Sequence, residues 1–222
     1  MWSIYQHTKG MYYLHVGMAL HSESLEPLEV YRTLYDNELG PLWVRPREMF
    51  HEEVLPGKKR FTRVGGIRVA THEDDAMILP FGHDAWGNGK SVAEFVAEYE
   101  TDKNHIRGTR YLFEDATGEV IANLNTIRFA RGLVGIASLS VHPAHRRKGY
   151  GALLVRGVME VFRQEDAEVR FLLFSEVDPK MYEKLGFIKV PEEGQLHLPS
   201  VAMISGCGPI TERELSFFRE YF

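Results

Sequence analysis

Apolar residues spaced three and four apart mark one stretch of this chain as a helix, and short apolar bursts mark most of the remainder as strands. Leu154, Val158, Val161 and Phe162 share one face of the helix, which is entered through Gly149-Tyr150-Gly151. Ahead of it, residues 136–141 read as an apolar strand, broken at His142-Pro143 and followed by Arg146-Arg147-Lys148. Further upstream, residues 109–113 and 119–129 flank Asp115-Ala116-Thr117-Gly118, a hairpin signature, so that three successive antiparallel strands precede the basic turn. Beyond the helix the pattern predicts a strand over 169–175, a helix over 179–185, a strand over 187–190 and an apolar stretch at 201–204. Ser91 with Glu94, and Thr211 with Glu214, form capping boxes that open two more helices. The first of these puts Val92, Phe95, Val96 and Tyr99 on its inner face.

Residues 1–65 have a different texture. Apolar bursts at 11–16, 30–34 and 42–44 alternate with turn residues at Lys9-Gly10, Asp36-Asn37 and Gly40-Pro41, which predicts a small antiparallel sheet or barrel. Gly65-Gly66 then reads as a linker, dividing the chain into 1–65 and 66–222. His7, Lys9, His21, Trp43 and Arg45 could form a binding face for a peptide or nucleic acid. The plainer reading, which we prefer, is that Trp43 and the tyrosines fill the core of a small domain.

Composition narrows the class. Hydrophobic residues at 44% and charged residues at 26% are ordinary for a globular protein. The first twenty residues carry polar residues throughout and lack the apolar core of a signal peptide, and no apolar run reaches the length of a membrane span. A single cysteine, Cys207, cannot form an internal disulfide, which points to a reducing compartment and hence the cytoplasm. The net charge of −5 argues against broad nucleic-acid binding. Residues 1–65 hold 8 Lys/Arg against 8 Asp/Glu, so the acidic excess lies in the half with the basic turn, where it would suit a cationic amine.

The strand, basic glycine turn and helix over residues 135–159 make an anion site. Glycine lets a ligand approach the backbone, the first amides of a helix lack intrahelical partners, and the helix dipole and three cations favour phosphate. The dinucleotide fingerprint would need glycine at Leu154, and the phosphate-loop pattern needs Gly-Lys-Ser/Thr in this turn; neither is met. Gly89-Lys90-Ser91 has that triplet, but Asp84 stands where the first glycine belongs and would repel phosphate. His72-Glu73-Asp74-Asp75 has no second cluster of ligand spacing, so no metal site is assigned.

What the turn does match is R-x-x-G-x-G, Arg146 to Gly151, after a strand. With Met181-Tyr182-Glu183-Lys184-Leu185-Gly186-Phe187 downstream, in the form Y-x-x-x-G-F, it resembles the GNAT superfamily of N-acetyltransferases. The resemblance implies an α+β fold with a mixed, mostly antiparallel central sheet flanked by helices, and acetyl-CoA as cosubstrate without a metal. By motif position it assigns Leu139 and Val141 to main-chain contacts with the pantetheine arm, and Arg146, Arg147, Lys148, Gly149, Tyr150 and Gly151 to the pyrophosphate. It makes Tyr182 the general acid. Residues 1–62, through Tyr5 to Gly10, Ala19 to Glu23 and Leu42 to Phe50, resemble a small bacterial domain of undescribed function, which brings no catalytic residues.

Acyl transfer to an amine also needs a base. Many members of the superfamily carry a glutamate on the strand before the turn, but Ile136-Ala137-Ser138-Leu139-Ser140 has no carboxylate. Glu73, Glu176 and His142 are candidates elsewhere, and a water chain could serve instead. Cys207 is disfavoured as a nucleophile because the superfamily transfers directly. The expected reaction is transfer of acetyl to a primary amine, and the missing carboxylate leaves open a catalytically idle acyl-CoA-binding regulator. The tail's Leu215, Phe217, Phe218, Tyr221 and Phe222 must dock on this domain, on the first, or on a second copy as a homodimer.

Overall fold

The structure is a computed structural model that describes residues 1–206 and 208–222. Cys207 lies outside the described residues. Four amino-terminal strands, β1 (Trp2–His7), β2 (Tyr12–Leu20), β3 (Pro27–Thr33) and β4 (Leu42–Pro46), form an antiparallel meander. A short helix α1 (Arg47–His51) and a two-stranded hairpin of β5 (Glu53–Leu55) and β6 (Lys58–Lys59) lead into β7 (Phe61–Val69), which returns beside β1. Tyr31, Phe50 and Phe61 are buried in this region, with Tyr5, Tyr13 and Trp43 packed around them, so the aromatics fill a core as the plainer reading held.

β7 joins the two halves of the molecule. Its residues from Phe61 to Ile67 pair with β1, and those from Gly65 to Val69 pair with β8 (Thr109–Asp115) on its other side. From β8 the sheet continues through β9 (Val120–Ala130), β10 (Leu133–Val141), β11 (Arg170–Ser175) and β13 (Val201–Ser205) to β12 (Phe187–Lys189). One sheet of eleven strands results, in which β10 and β11 are the parallel pair. The linker expected at Gly65-Gly66 is therefore corrected: both glycines sit inside β7. Their role is close approach, since a Cβ on Gly65 would overlap the Glu114 carbonyl oxygen and sit 2.7 Å from the Phe113 ring.

The alternation of β8 and β9 sends successive side chains to opposite faces. Phe113 and Ile121 meet helix α6 (Tyr150–Glu165) on one face, while Leu112 and Val120 meet Ile78 and Phe81 on the other. Leu154 and Val158 of α6 are fully buried. A Cβ on Gly157 would overlap Ile67 Cδ1, so α6 lies directly on the seam formed by β7. From the same helix Glu160, itself buried, accepts from Arg32 Nε of β3 at 2.6 Å and from Arg163, tying the first strands to α6.

Over the opposite face run α2 (Asp75–Ile78), α3 (His83–Trp86), α4 (Val92–Thr101) and α5 (Lys103–Arg107), with short 3-10 turns between them. His72-Glu73-Asp74 is one such turn; Arg68 holds Asp74 through two bonds of 2.7 Å and lowers its carboxyl to about 2. The capping box of Ser91 and Glu94 forms as expected, and Phe95 is buried, but Val92, expected on the inner face, is exposed. After α7 (Lys180–Glu183), helix α8 (Glu212–Ser216) begins at its capping box. Phe218 and Phe222 are buried against Leu172, Ile204 and Ile127, so these tail aromatics dock on the chain's own sheet.

Candidate active site

The sheet opens at β10. Its parallel pairing with β11 covers Leu133 to Gly135 and ends there, while on the β9 side the register slips between Ala137 and Ser140. Ser138, at φ 51°, occupies the slip in a left-handed conformation that serine seldom adopts. Ser138 and Leu139 have no partner in the β9 register. Tyr99 of α4 donates to Ser138 Oγ and so supports the bulge from below.

Ten residues on, the chain makes the turn into α6. Arg147 at φ 63° and Gly149 at φ 85° are both left-handed, and among the described residues none of the amides from Arg147 to Ala152 donates a hydrogen bond. Alternating left- and right-handed residues turn successive N–H groups toward one side, which makes a concave anion site at the positive end of a sixteen-residue helix. Gly151 lies against the bulged strand: a Cβ there would meet Val141 Cγ2 at 3.3 Å and Leu139 Cδ2 at 3.6 Å. The open strand and the free amides are therefore adjacent, which is the fit that a diphosphate with an extended amide arm requires.

Two residues assigned from sequence behave differently. The Arg146 guanidinium is committed inward, pairing with both oxygens of Asp84 and donating to Phe81 O at 2.8 Å, so it is a clamp on the loop and not a free cation. Asp84 is held below the usual carboxylate range by that pairing. Arg146 Nε also donates to Val141 O at 3.0 Å, which occupies one main-chain group expected to face a ligand. The Tyr150 ring stacks on Phe113 at 5.6 Å and leaves only its amide for an anion.

Beyond the bulge lies a cavity of about 370 Å³. Its walls include Ser138 and Leu139 of β10, Tyr182 of α7, Trp86 at the end of α3, Tyr99 of α4, Glu176 just after β11, and Tyr221 of the tail. Tyr182 is 7% exposed, and its hydroxyl makes no hydrogen bond among the described residues. Burial, then the charge of Glu176, push its phenol up to about 12. Tyr221 is likewise pushed up to about 12 by burial and by its bond to Glu176. His105, which also lines the cavity, accepts from Arg110 at 3.0 Å through Nδ1, and burial and that guanidinium lower its pKa.

Of the three candidate bases, only Glu176 reaches this cavity. Glu73 is exposed on the 3-10 turn, and His142 packs on Phe81 beside a second cavity at the start of β9. Sequence reasoning missed Trp86 and Tyr99 as site residues, since neither stands in a motif. It also missed that Glu119, His142 and His145, 23 and more residues apart in part, bring ligand atoms within 4.8 Å of one another, with His145 Nε2 at 3.1 Å from Glu119. Only folding of the β8–β9 hairpin against the turn at Pro143 creates that group.

Comparison with known proteins places the geometry in a family. Residues 3–64 match a family described as a protein of unknown function (DUF1653), and residues 70–187 match the acetyltransferase (GNAT) family. No curated protein matches the chain. Similar solved structures include a putative N-acetyltransferase from Lactobacillus plantarum, 17% identical, with a TM-score of 0.51 over 64% of this chain and 98% of that one. The PaiA N-acetyltransferase from Thermoplasma acidophilum, in complex with coenzyme A, is 13% identical with a TM-score of 0.51 over 64% and 99%. A chimera of the spermidine N-acetyltransferase SpeG from Vibrio cholerae and hSSAT is 15% identical, with a TM-score of 0.50 over 70% and 98%. Among the described residues no helix is long and apolar enough to cross a membrane. A mostly antiparallel sheet flanked by helices is the fold shared with these structures, and with the match over residues 70–187 the chain belongs to the GNAT acetyltransferase family.

Proposed function

We propose that this protein transfers an acetyl group from acetyl-CoA directly to a primary amine. The observation that carries this reading is the run of unbonded amides from Arg147 to Ala152, set against a strand whose pairing is broken at Ser138 and Leu139. The amides from Arg147 to Gly151 would hold the diphosphate, with Arg147 and Lys148 adding charge, and the open edge at Leu139 would hold the pantetheine amides. The cosubstrate supplies an activated thioester. Leu139 touches Gly151 on one side and lines the cavity on the other, so a chain laid along it ends beside Tyr182.

Tyr182 keeps its proton throughout the physiological range. A phenol near 12 cannot simply hand that proton to a thiol of ordinary pKa near 8.5; a gap of 3 to 4 units is about 5 kcal/mol. Tyr182 therefore acts as a hydrogen-bond donor to the leaving sulfur, completing transfer only as another proton replaces its own. Its burial limits competing water partners, and its side chain lines the cavity.

In this reading residues 66–222 carry the reaction in the cytoplasm, and residues 1–65 brace α6 through Arg32 and Glu160. Release of free CoA from acetyl-CoA with a panel of primary amines tests it. Amine-dependent release is expected. Binding of CoA without release for any amine would favour the acyl-CoA-binding regulator.

A further inference from the structure

We propose that Glu176 is the catalytic carboxylate that receives the acceptor as an ammonium ion and removes its proton. The assignment rests on the acetyltransferase reading above and fills the place that the strand before the loop leaves empty.

Three carboxylates line the cavity, and two are already employed. Glu98 pairs with Lys90. Asp102 caps α5, accepting from the amides of Asn104 at 2.8 Å and His105 at 2.9 Å. Glu176 alone is held by neutral donors: Trp86 Nε1–H bonds one oxygen and the Tyr221 hydroxyl the other. Among the described residues it has no cationic partner, so its negative charge remains available to a ligand. Glu176 and Tyr182 line the same cavity, and the carboxylate charge helps to raise the Tyr182 phenol.

The two neutral donors come from distant parts of the chain and are themselves fixed. Tyr221 stacks on Phe174 of β11 with centroids 4.6 Å apart. The next residue, Phe222, sits over Gly135, where a Cβ would come within 2.7 Å of its ring. Gly135 is thus the socket that delivers Tyr221 to Glu176, and Tyr221 is a positioning residue. Each bond leaves a second lone pair on its carboxylate oxygen for an incoming N–H.

The protons balance as follows. The acceptor ammonium gives its first proton to Glu176, which passes it to solvent. The neutral nitrogen forms the C–N bond to the acetyl carbon while the C–S bond breaks, its electron pair leaving on sulfur. Tyr182 supplies the proton that sulfur takes up, and the second proton shed by nitrogen restores Tyr182. One proton is released per turnover.

The test compares wild type with Glu176→Gln and Tyr221→Phe, using tyramine, putrescine and a lysine-containing peptide as acceptors from pH 6 to 10. Glu176→Gln should lower kcat/KM for the amine by roughly 100-fold near pH 7. The loss should shrink as pH approaches the amine's own pKa, and the Kd for CoA should stay within about twofold. Tyr221→Phe should give a smaller loss, with a shifted pH profile. Unchanged turnover by Glu176→Gln across this range, alongside an active wild type, overturns the base and leaves the acetyltransferase reading standing. No CoA release by wild type with any acceptor overturns both.

Discussion

The two sides of the gap at β10 are built in opposite ways. The side proposed to take the acyl donor is local: residues 136 to 151 provide the bulged strand, the turn and the free amides in one continuous segment. The side proposed to take the acceptor is assembled from five places, Trp86, Tyr99, Glu176, Tyr182 and Tyr221, that meet only when the helices over residues 75–107 and the tail close on the sheet. Binding an invariant group such as a diphosphate needs backbone, which a short segment can present by itself. Selecting an acceptor needs side chains at chosen angles, and those can be drawn from anywhere.

Under this division, changes on one side should leave the other side's constant alone. The largest effect is expected from Tyr182→Phe, which removes a proton donor and little volume: kcat should fall roughly 100-fold, with the Kd for CoA within about twofold in calorimetry. Next is Gly149→Val. Nothing lies within 4 Å of a Cβ there, so the cost is the left-handed backbone at φ 85°, about 1–2 kcal/mol. Kd for CoA should rise about tenfold, and KM for the amine should not move. A parallel rise in both constants would break the separation.

The smallest expected effect is a silence. An ordinary tyrosine ionises near pH 10, whereas Tyr182 and Tyr221 hold their protons to about 12 in the fold. The folded state therefore binds more protons than the unfolded chain between these values. Stability is complete below pH 10 and falls as pH rises toward 12, and no descending limb from Tyr182 should appear in kcat below pH 10. Thermal melts and rate profiles over pH 8–11 check both.

This difference in construction also explains what the sequence made legible. Arg146 to Gly151 and Tyr182 to Phe187 announced the family because each is a contiguous pattern. The strands around them followed from short apolar runs and a hairpin signature, and the capping boxes at Ser91 and Thr211 marked true helix starts. Ser138 gave no warning of its positive φ, since glycine is the residue that usually signals one. Gly65-Gly66 misled for the converse reason: glycine serves close approach as well as turns, and here it admits the Phe113 ring beside a central strand. The inward commitment of Arg146 depends on Asp84, 62 residues earlier, which no local pattern connects to it. The tail aromatics were visible as surface that must be covered, but the socket at Gly135 was not.

Calorimetric titration of the whole chain with coenzyme A and, separately, with pantetheine isolates the donor side. Both ligands offer the same amide arm to β10, and only the first carries the diphosphate for the amides at the start of α6. We expect coenzyme A to bind and pantetheine to bind at least about 100-fold more weakly, the share expected of several charge-assisted bonds. Equal affinity for the two, or no heat with coenzyme A, would contradict the assignment of that turn as the diphosphate site.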